Sequence, residues 1–231
     1  MTSIDVVIMA AGKGTRMKSR MPKVLHRLAG RALVQHVIDT AAELSVRQIV
    51  VITGHGAAEV ESALAPAPGE TPAVTLTMVR QEPQLGTGHA VQQAMPVLQD
   101  DGITIVLSGD VPLIQTATLR HLVEACGGDR LALLTVDFED PDGYGRILRD
   151  AGGAVLGIVE HKDASAAQRA IREIYSGIMA VPTRLLLCWL SRLDNKNDQS
   201  EYYLTDIVKF AVADGVAVVA HQITDAAQVA G

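Results

Sequence analysis

Short runs of apolar, largely β-branched residues alternate with amphipathic segments along the first half of the chain. The apolar runs predict buried strands over residues 4–9, 48–52, 74–79, 103–107 and 131–136. The amphipathic segments predict helices over residues 34–42, 88–98 and 118–125. This alternation predicts an α/β fold, a Rossmann-like and mostly parallel sheet with helices on both faces, whose ligand lies outside the carboxyl ends of the strands.

After residue 136 the pattern changes to a turn-rich cluster followed by shorter elements. Strands are predicted over 145–149, 155–160 and 174–181, and helices over 164–172, 184–193 and 203–213. No linker-like composition and no internal repeat separates the two halves. We therefore expect one domain over residues 1–231, with a core in 1–137 and an elaboration in 138–231 that closes over the sheet edge.

Composition narrows the classes of function. The chain has 231 residues, of which 48% are apolar and only 3% aromatic, and this disfavours a base-stacking platform for single-stranded nucleic acid. The net charge is −6, yet residues 6–38 contain seven Lys and Arg and no acidic residue. A cationic stretch in an acidic protein favours a small anionic ligand, and on charge alone a solvated basic surface is about equally consistent with it.

The sequence also bears on location. The first residues lack the basic start and small-residue cleavage site of a signal peptide, and no apolar run approaches the roughly 18 residues that span a bilayer. Cys126 and Cys188 lie far apart without a neighbouring Cys or His cluster. They predict reduced core thiols in a cytoplasmic protein. Together with the low aromatic content, the negative charge and the lack of a long apolar run, this leads us to expect no nucleic-acid and no membrane partner.

A glycine-containing loop, residues 10–17, follows the first predicted strand. It has neither the Gly-Lys-Ser/Thr of a Walker A loop nor the third glycine of a dinucleotide fingerprint, where Met17 stands instead. Its small residues allow backbone N–H groups to approach a phosphate, and Arg16 can grip two phosphate oxygens at once. The alternative is a tight strand-to-helix turn with incidental charges, just as Lys23, taken alone, is typical of a surface lysine.

Two further loops follow predicted strands. Residues 81–89 combine amides, a hydroxyl and glycines, which suit hydrogen bonding to a planar heterocycle. Residues 108–113 place Asp110 after an apolar strand, between glycine and proline. A carboxylate opposite a phosphate loop is suited to Mg²⁺, which prefers one or two carboxylates plus substrate phosphates. The alternative for Asp110 is a helix N-cap or a turn residue.

Seven segments occur in this order in one family. Four of them follow the pattern of sugar-nucleotide pyrophosphorylases, namely residues 10–17, 22–25, 84–90 and 109–113. The other three narrow the choice among those enzymes, namely residues 143–147, 157–164 and 201–207. Across essentially its whole length the sequence closely resembles the N-terminal, uridyltransferase half of the bacterial bifunctional N-acetylglucosamine-1-phosphate uridyltransferase / glucosamine-1-phosphate acetyltransferases.

The resemblance implies that UTP and N-acetylglucosamine 1-phosphate react, with Mg²⁺, to give UDP-N-acetylglucosamine and pyrophosphate for peptidoglycan and lipopolysaccharide synthesis. It assigns catalytic roles to Arg16, Lys23 and Asp110, the last of these as the metal ligand. The substrate-binding residues that it implies are Met9 through its backbone, Ala10, Ala11, Gly12 and Lys23 for the nucleotide, Gln81, Gln84, Gly86 and Thr87 for the uracil side, Asp110, and Gly145 and Glu160 for the acetylamino sugar.

The sequence departs from the family in three ways. Tyr175 replaces an Asn of the sugar-binding stretch, so that contact is expected to be lost or made by a neighbour. The family's C-terminal β-helix of hexapeptide repeats is absent, and with it we expect acetyltransferase activity and the trimer contacts to be absent. By motif spacing the family's second metal ligand, an Asn, falls two positions past Gly231, so weak metal binding is expected.

The chemistry itself requires no general base, because the sugar phosphate is already ionised at neutral pH and pyrophosphate is a good leaving group. His89 and His161 are therefore expected to be structural or to hydrogen-bond the loops. Two alternatives stay open at this point. One is a pyrophosphorylase for another sugar 1-phosphate or nucleotide, and the other is a non-catalytic module that binds sugar nucleotides.

Overall fold

A computed structural model describes residues 2–14, 19–66 and 74–231. Within those residues a nine-stranded sheet is accompanied by a short hairpin and seven α-helices. The strands of the sheet are β1 (Ile4–Ala10), β4 (Gln48–Thr53), β5 (Leu76–Arg80), β6 (Ile103–Ser108), β7 (Leu131–Asp137), β8 (Arg146–Arg149), β9 (Val155–Val159), β10 (Glu173–Pro182) and β11 (Val218–Ile223), and the hairpin is β2 (Arg27–Leu28) with β3 (Arg31–Ala32). The helices are α1 (Leu33–Ala42), α2 (Ala57–Leu64), α3 (Thr87–Gln92), α4 (Thr116–Cys126), α5 (Ala166–Arg169), α6 (Thr183–Leu190) and α7 (Asp206–Ala213).

The strand order is β11-β7-β10-β6-β1-β4-β5. Strand β1 runs parallel to both β4 and β6, β4 runs parallel to β5, and β7 runs parallel to β11. Strand β10 is antiparallel to both of its neighbours, and the β8–β9 hairpin extends from it. The mostly parallel α/β sheet that the sequence predicts is confirmed.

Apolar side chains on alternate positions of the central strands feed two hydrophobic clusters, one on each face of the sheet. In β1, Val6 and Ile8 belong to one cluster and Val7 to the other. Helix α1 covers the first face with the stripe that its periodicity predicts, whereas Trp189 of α6 covers the second. Because both faces are covered by helices, the ligand-binding positions are left to the loops at the strand ends.

Strand β10 lies in the interior of the sheet, between β6 and β7. The expectation that residues 138–231 close over the sheet edge is therefore wrong for this strand. The reason is that β10 is apolar and buried over nearly its whole length, so it is suited to an interior position rather than an edge. The region is consequently part of the main sheet, and its β8–β9 hairpin lies next to the core.

Several local predictions need correction. The helix predicted over 88–98 is interrupted, since α3 ends at Gln92 and a 3-10 turn, Met95–Val97, with Pro96 follows it. Helix α2, with only two buried apolar residues, and edge strand β11 were not predicted. Cys126 is buried as expected, but Cys188 is exposed, because it lies on the side of α6 away from the core. Within the described residues no helix has the length and apolarity required to cross a bilayer.

Candidate active site

A cleft of about 520 Å³ opens beyond the carboxyl ends of β1 and β6. Its walls come from the loop after β1, from the start of a 3-10 turn, Lys23–Leu25, from the loop before α3 and from the segment after β6. The described residues that line it are Met9, Ala10, Ala11, Gly12, Lys13, Gly14, Lys23, Val24, Gln81, Gln84, Gly86, Thr87, Ala90, Ser108, Asp110 and Glu201.

The glycine loop packs directly against the lysine that the sequence analysis singled out. Gly14 has a φ of +56°, and a Cβ atom at this position would lie 2.9 Å from Cβ of Lys23. A side chain here would be strained and would also push Lys23 away, so glycine is required. At Gly12, by contrast, a Cβ would meet nothing within 4 Å. Arg16, the other predicted phosphate ligand, lies outside the described residues.

Lys23 and Asp110 form an ion pair beside this loop. Lys23 Nζ lies 2.7 Å from Asp110 Oδ2, and the two side chains are 19% and 28% exposed. Asp110 is held near β1 because the N–H of Gly109 donates to the carbonyl of Met9 at 2.9 Å. A cation and a carboxylate thus lie in contact beside a loop of small residues, which is an arrangement suited to phosphate groups and a metal ion.

Gln81 anchors the amide-rich wall of the cleft. Its backbone N–H continues the sheet by donating to Thr53, and its side chain is only 3% exposed. Nε2 of Gln81 donates to the carbonyl of Gly86 at 2.9 Å, and Nε2 of Gln84 donates to the carbonyl of Gln81 at 3.1 Å. The loop before α3 is therefore held by its own amide side chains.

Residues 201–204 clasp this loop from the other side. The N–H of Tyr202 donates to Leu85, the N–H of Gly88 donates to Tyr202, and the N–H of Leu204 donates to Oγ1 of Thr87 at 3.1 Å. These bonds bring Glu201 to the wall of the cleft, a placement that the sequence analysis missed. The signal was present in the motif at 201–207, whose distance along the chain from the loop hid the contact.

Gly145 and Glu160, the predicted sugar-binding pair, are neighbours of each other but do not line the main cleft. A Cβ atom on Gly145 would lie 3.7 Å from Oε2 of Glu160 and 2.8 Å from Ile158, so a side chain there would have to displace the core. Glu160 instead lines a smaller recess of about 160 Å³, together with Tyr203 and Thr205.

The carboxyl group of Glu160 is poorly solvated. Burial raises its pKa, and the hydrogen bond that Thr205 Oγ1 donates to Oε1 at 2.7 Å opposes that rise only in part. The negative charges of Asp163, Asp206 and Glu201 raise the pKa further. A buried carboxyl with a raised pKa is a feature of functional sites more often than of surfaces.

Tyr175, which stands where the resemblance implies an Asn, is a buried residue of β10. Within the part of the chain that the structure describes, its hydroxyl is a buried polar atom without a hydrogen-bond partner. Burial raises the pKa of the phenol well above its usual value, and the charge of Glu160 adds to this. The ring is packed in the core cluster, so the substitution exchanges a small amide for a mostly apolar filling.

Comparison with known proteins bears directly on these motifs. The bifunctional protein GlmU of Polaromonas naphthalenivorans (strain CJ2) is 74% identical, over 99% of this chain and 49% of that protein. GlmU of Albidiferax ferrireducens (strain ATCC BAA-621 / DSM 15236 / T118) is 70% identical, over 99% of this chain and 49% of that protein. The chain thus spans about half the length of the curated relatives that it matches, and the resemblance stated above is confirmed.

Solved structures confirm the fold. A UDP-glucose pyrophosphorylase complexed with UDP-glucose has a TM-score of 0.81 at 17% identity, covering 99% of this chain and 96% of that one. At this identity the likeness concerns the fold alone. A family model described as the MobA-like NTP transferase domain matches residues 6–177, most of the chain. The chain therefore belongs to the MobA-like NTP transferase domain family.

Proposed function

We propose that the chain transfers the uridylyl group of UTP to N-acetylglucosamine 1-phosphate, releasing pyrophosphate and UDP-N-acetylglucosamine. The observation that carries the proposal is the cleft in which the Lys23–Asp110 ion pair lies between a loop of small residues and an amide-lined wall. The first loop suits phosphates, the wall suits a planar base, and the family is one of nucleotidyl transfer. The identity to GlmU proteins supports this choice of substrates.

Each part of the site has a role in this proposal. The backbone of Met9, Ala10, Ala11 and Gly12 cradles the nucleotide, and Gln81, Gln84, Gly86 and Thr87 bind the uracil side. Lys23 and Arg16 hold phosphate oxygens. Gly145 leaves room beside Glu160, whose carboxyl group binds the sugar. Asp110 pairs with Lys23 and is the residue that would hold the metal.

The residues present fit Mg²⁺ when it is shared with the substrate. Within the described ranges no group of three or more His, Cys, Asp or Glu residues is arranged to enclose a metal ion. Asp110 offers one carboxylate beside the phosphate loop, and Mg²⁺ prefers one or two carboxylates completed by phosphate oxygens and water. When bound, Mg²⁺ supplies positive charge to the phosphates, and Asp110 is the residue that would hold it.

The reaction is an in-line displacement at the α-phosphorus of UTP. An oxygen of the sugar phosphate forms the new P–O bond while the bond to pyrophosphate breaks, so no proton has to be removed from the nucleophile. The obstacle is the approach of two anions. Lys23 and Arg16 lower it by placing positive charge where the phosphoryl oxygens lie, and the rigid walls hold the two reactants in line.

The test is a pyrophosphate-release assay on the purified chain. We expect release with UTP, N-acetylglucosamine 1-phosphate and Mg²⁺ together, and none when any one is omitted. Replacing N-acetylglucosamine 1-phosphate by glucose 1-phosphate tests the sugar. Tyr175 is the observation that favours a different sugar, because it stands at a position where the family has a polar amide. A faster reaction with another sugar phosphate would identify that compound as the substrate. Binding of UTP and the sugar phosphate without release of pyrophosphate would indicate a non-catalytic module.

A further inference from the structure

His89 lies on α3, in contact with the amide wall of the cleft, and the chemistry proposed above does not use it. Nδ1 of its imidazole lies 3.2 Å from Nε2 of Gln81. The ring of Tyr202 lies beside it, with the two centroids 6.1 Å apart and the planes tilted by 35°. The imidazole is thus wedged between the loop that carries Gln81 and the segment that clasps it.

The contacts of Gln81 determine which way its amide group faces. The side-chain atom assigned as Nε2 is 2.9 Å from the carbonyl oxygen of Gly86 as well as 3.2 Å from Nδ1 of His89. A backbone carbonyl can only accept a hydrogen bond, so the atom that faces it has to be the NH₂ group. Its second N–H then points to His89, and Nδ1 of His89 is the acceptor.

Both ring nitrogens of His89 face an amide NH₂ group, and the burial of Gln81 decides which of them accepts. Because Nδ1 accepts, the ring is neutral and carries its proton on Nε2. Nε2 of Gln93 lies equally close to Nε2 of His89, at 3.2 Å, and also donates to the backbone carbonyl of His89 at 3.0 Å. Gln93 is half-buried, so its second N–H can turn to solvent, whereas the second N–H of the buried Gln81 has only His89 to meet. If the imidazole were protonated, the N–H at Nδ1 would face the N–H of Gln81, and two donors cannot form a hydrogen bond with each other.

The consequence is a fixed acceptor in the cleft. With both N–H groups of Gln81 engaged by Gly86 and His89, only Oε1 is left for a ligand. No described residue donates a hydrogen bond to Oε1, and this atom is not fully enclosed by the protein. Since Gln81 lines the cleft, this oxygen is the polar atom of its side chain that is available to a ligand there.

We propose that His89 is a positioning residue that determines base specificity by locking the amide of Gln81 with its oxygen toward the ligand. The inference rests on the proposed function, in that it takes the nucleotide base to lie against Gln81. A fixed acceptor pairs with the imide N–H of uracil or thymine. It faces a second acceptor in cytosine, whose N3 carries no proton, and two unpaired acceptors in a desolvated site are costly.

Two variants of nearly equal size separate this role from simple packing. In His89→Asn the side-chain oxygen can replace Nδ1 as the acceptor for Gln81, whereas His89→Leu removes it. We expect the full chain to prefer UTP to CTP in kcat/KM and in calorimetric Kd, and His89→Leu to lower that preference about tenfold. The loss should appear in KM, with kcat within about twofold, because His89 does not touch the reacting atoms. His89→Asn should keep most of the wild-type preference.

A spectroscopic measurement tests the same contact without a substitution. In ¹⁵N NMR spectra of the wild-type chain, Nδ1 of His89 should be unprotonated and Nε2 protonated at neutral pH. A proton on Nδ1 would overturn the inference, as would a folded His89→Leu protein with the wild-type preference or an equal loss in both variants. A wild-type chain that binds neither UTP nor CTP would contradict the proposed function and the inference together. An unchanged preference in His89→Leu would contradict the inference alone.

Discussion

The proposed nucleotide side of the site, around Lys23, Asp110 and Gln81, and the proposed sugar side, around Glu160 and Tyr175, differ in how their polar groups are satisfied. On the nucleotide side Lys23 and Asp110 pair at 2.7 Å, and the amide nitrogen of Gln81 has two partners. On the sugar side the half-buried carboxyl of Glu160 has a raised pKa, and no described residue bonds to the hydroxyl of Tyr175. The polar groups of the nucleotide side therefore hold one another in place, whereas the sugar side keeps a hydroxyl without a described partner and a carboxyl group with a raised pKa.

The largest expected effect comes from removing a cation on the nucleotide side. Lys23→Ala and Arg16→Ala should each lower turnover by about 10²- to 10³-fold, because each removes charge that stabilises the phosphoryl oxygens. The fold should persist, since Asp110 is partly exposed and its charge can be solvated without Lys23. Pyrophosphate release measures the first effect and urea unfolding the second. Near-wild-type turnover of Arg16→Ala would contradict its assignment to the phosphates.

The contrast also explains how far the sequence could predict the site. The loops at Gly12 and Asp110 follow parallel strands, and such loops meet at one edge of a sheet whatever the details of packing. Their place in the cleft therefore agrees with sequence reasoning, although their roles stay predictions. The proximity of Gly145 to Glu160 depends on the antiparallel pairing of β8 with β9, and the clasp by Glu201 on contacts distant along the chain. No local pattern encodes such contacts.

A second prediction concerns Gly86→Ala, which should disturb the loop on the nucleotide side without removing a charge. Gly86 has a φ of +103°, and a Cβ there would lie 2.7 Å from the carbonyl oxygen of Tyr202 and 2.9 Å from Cβ of Glu201. Gly86→Ala should therefore open the clasp, lower the free energy of unfolding by about 1–3 kcal/mol and raise KM for UTP. Urea unfolding and steady-state kinetics measure the two effects.

Gly12→Ala is the matched control for stability, because its Cβ would meet nothing within 4 Å. Its free energy of unfolding should stay within about 0.5 kcal/mol of wild type. Equal destabilisation by the two alanines would show that the clasp by residues 201–204 does not constrain the loop.

A third prediction concerns the charge on the sugar side. Because burial raises the pKa of Glu160 in the folded chain, the ionised carboxylate opposes folding. Glu160→Gln should match the wild-type Tm below the unfolded pKa of about 4.5. Its Tm should exceed that of wild type increasingly as the pH rises through the folded pKa. The hydrogen bond from Thr205 can persist, because the amide oxygen of Gln still accepts.

The same variant should raise KM for N-acetylglucosamine 1-phosphate and leave KM for UTP unchanged. Melting curves from pH 4 to 8 and the two KM values provide the measurements. A variant less stable than wild type at pH 8 would show that the carboxylate stabilises the fold, in conflict with the raised pKa.

The smallest expected effect is that of Tyr175→Phe, which tests whether the unsatisfied hydroxyl has a function. If the ring serves only to fill the core, deleting a hydroxyl that no described residue bonds should raise the free energy of unfolding by about 1 kcal/mol. We expect this result, together with a KM for N-acetylglucosamine 1-phosphate within about twofold of wild type. Urea unfolding and kinetics at saturating UTP measure both. A large rise in KM would instead show that the phenol is a sugar ligand in place of the amide expected at this position. The sugar side would then bind the substrate through two residues, Glu160 and Tyr175, rather than through Glu160 alone.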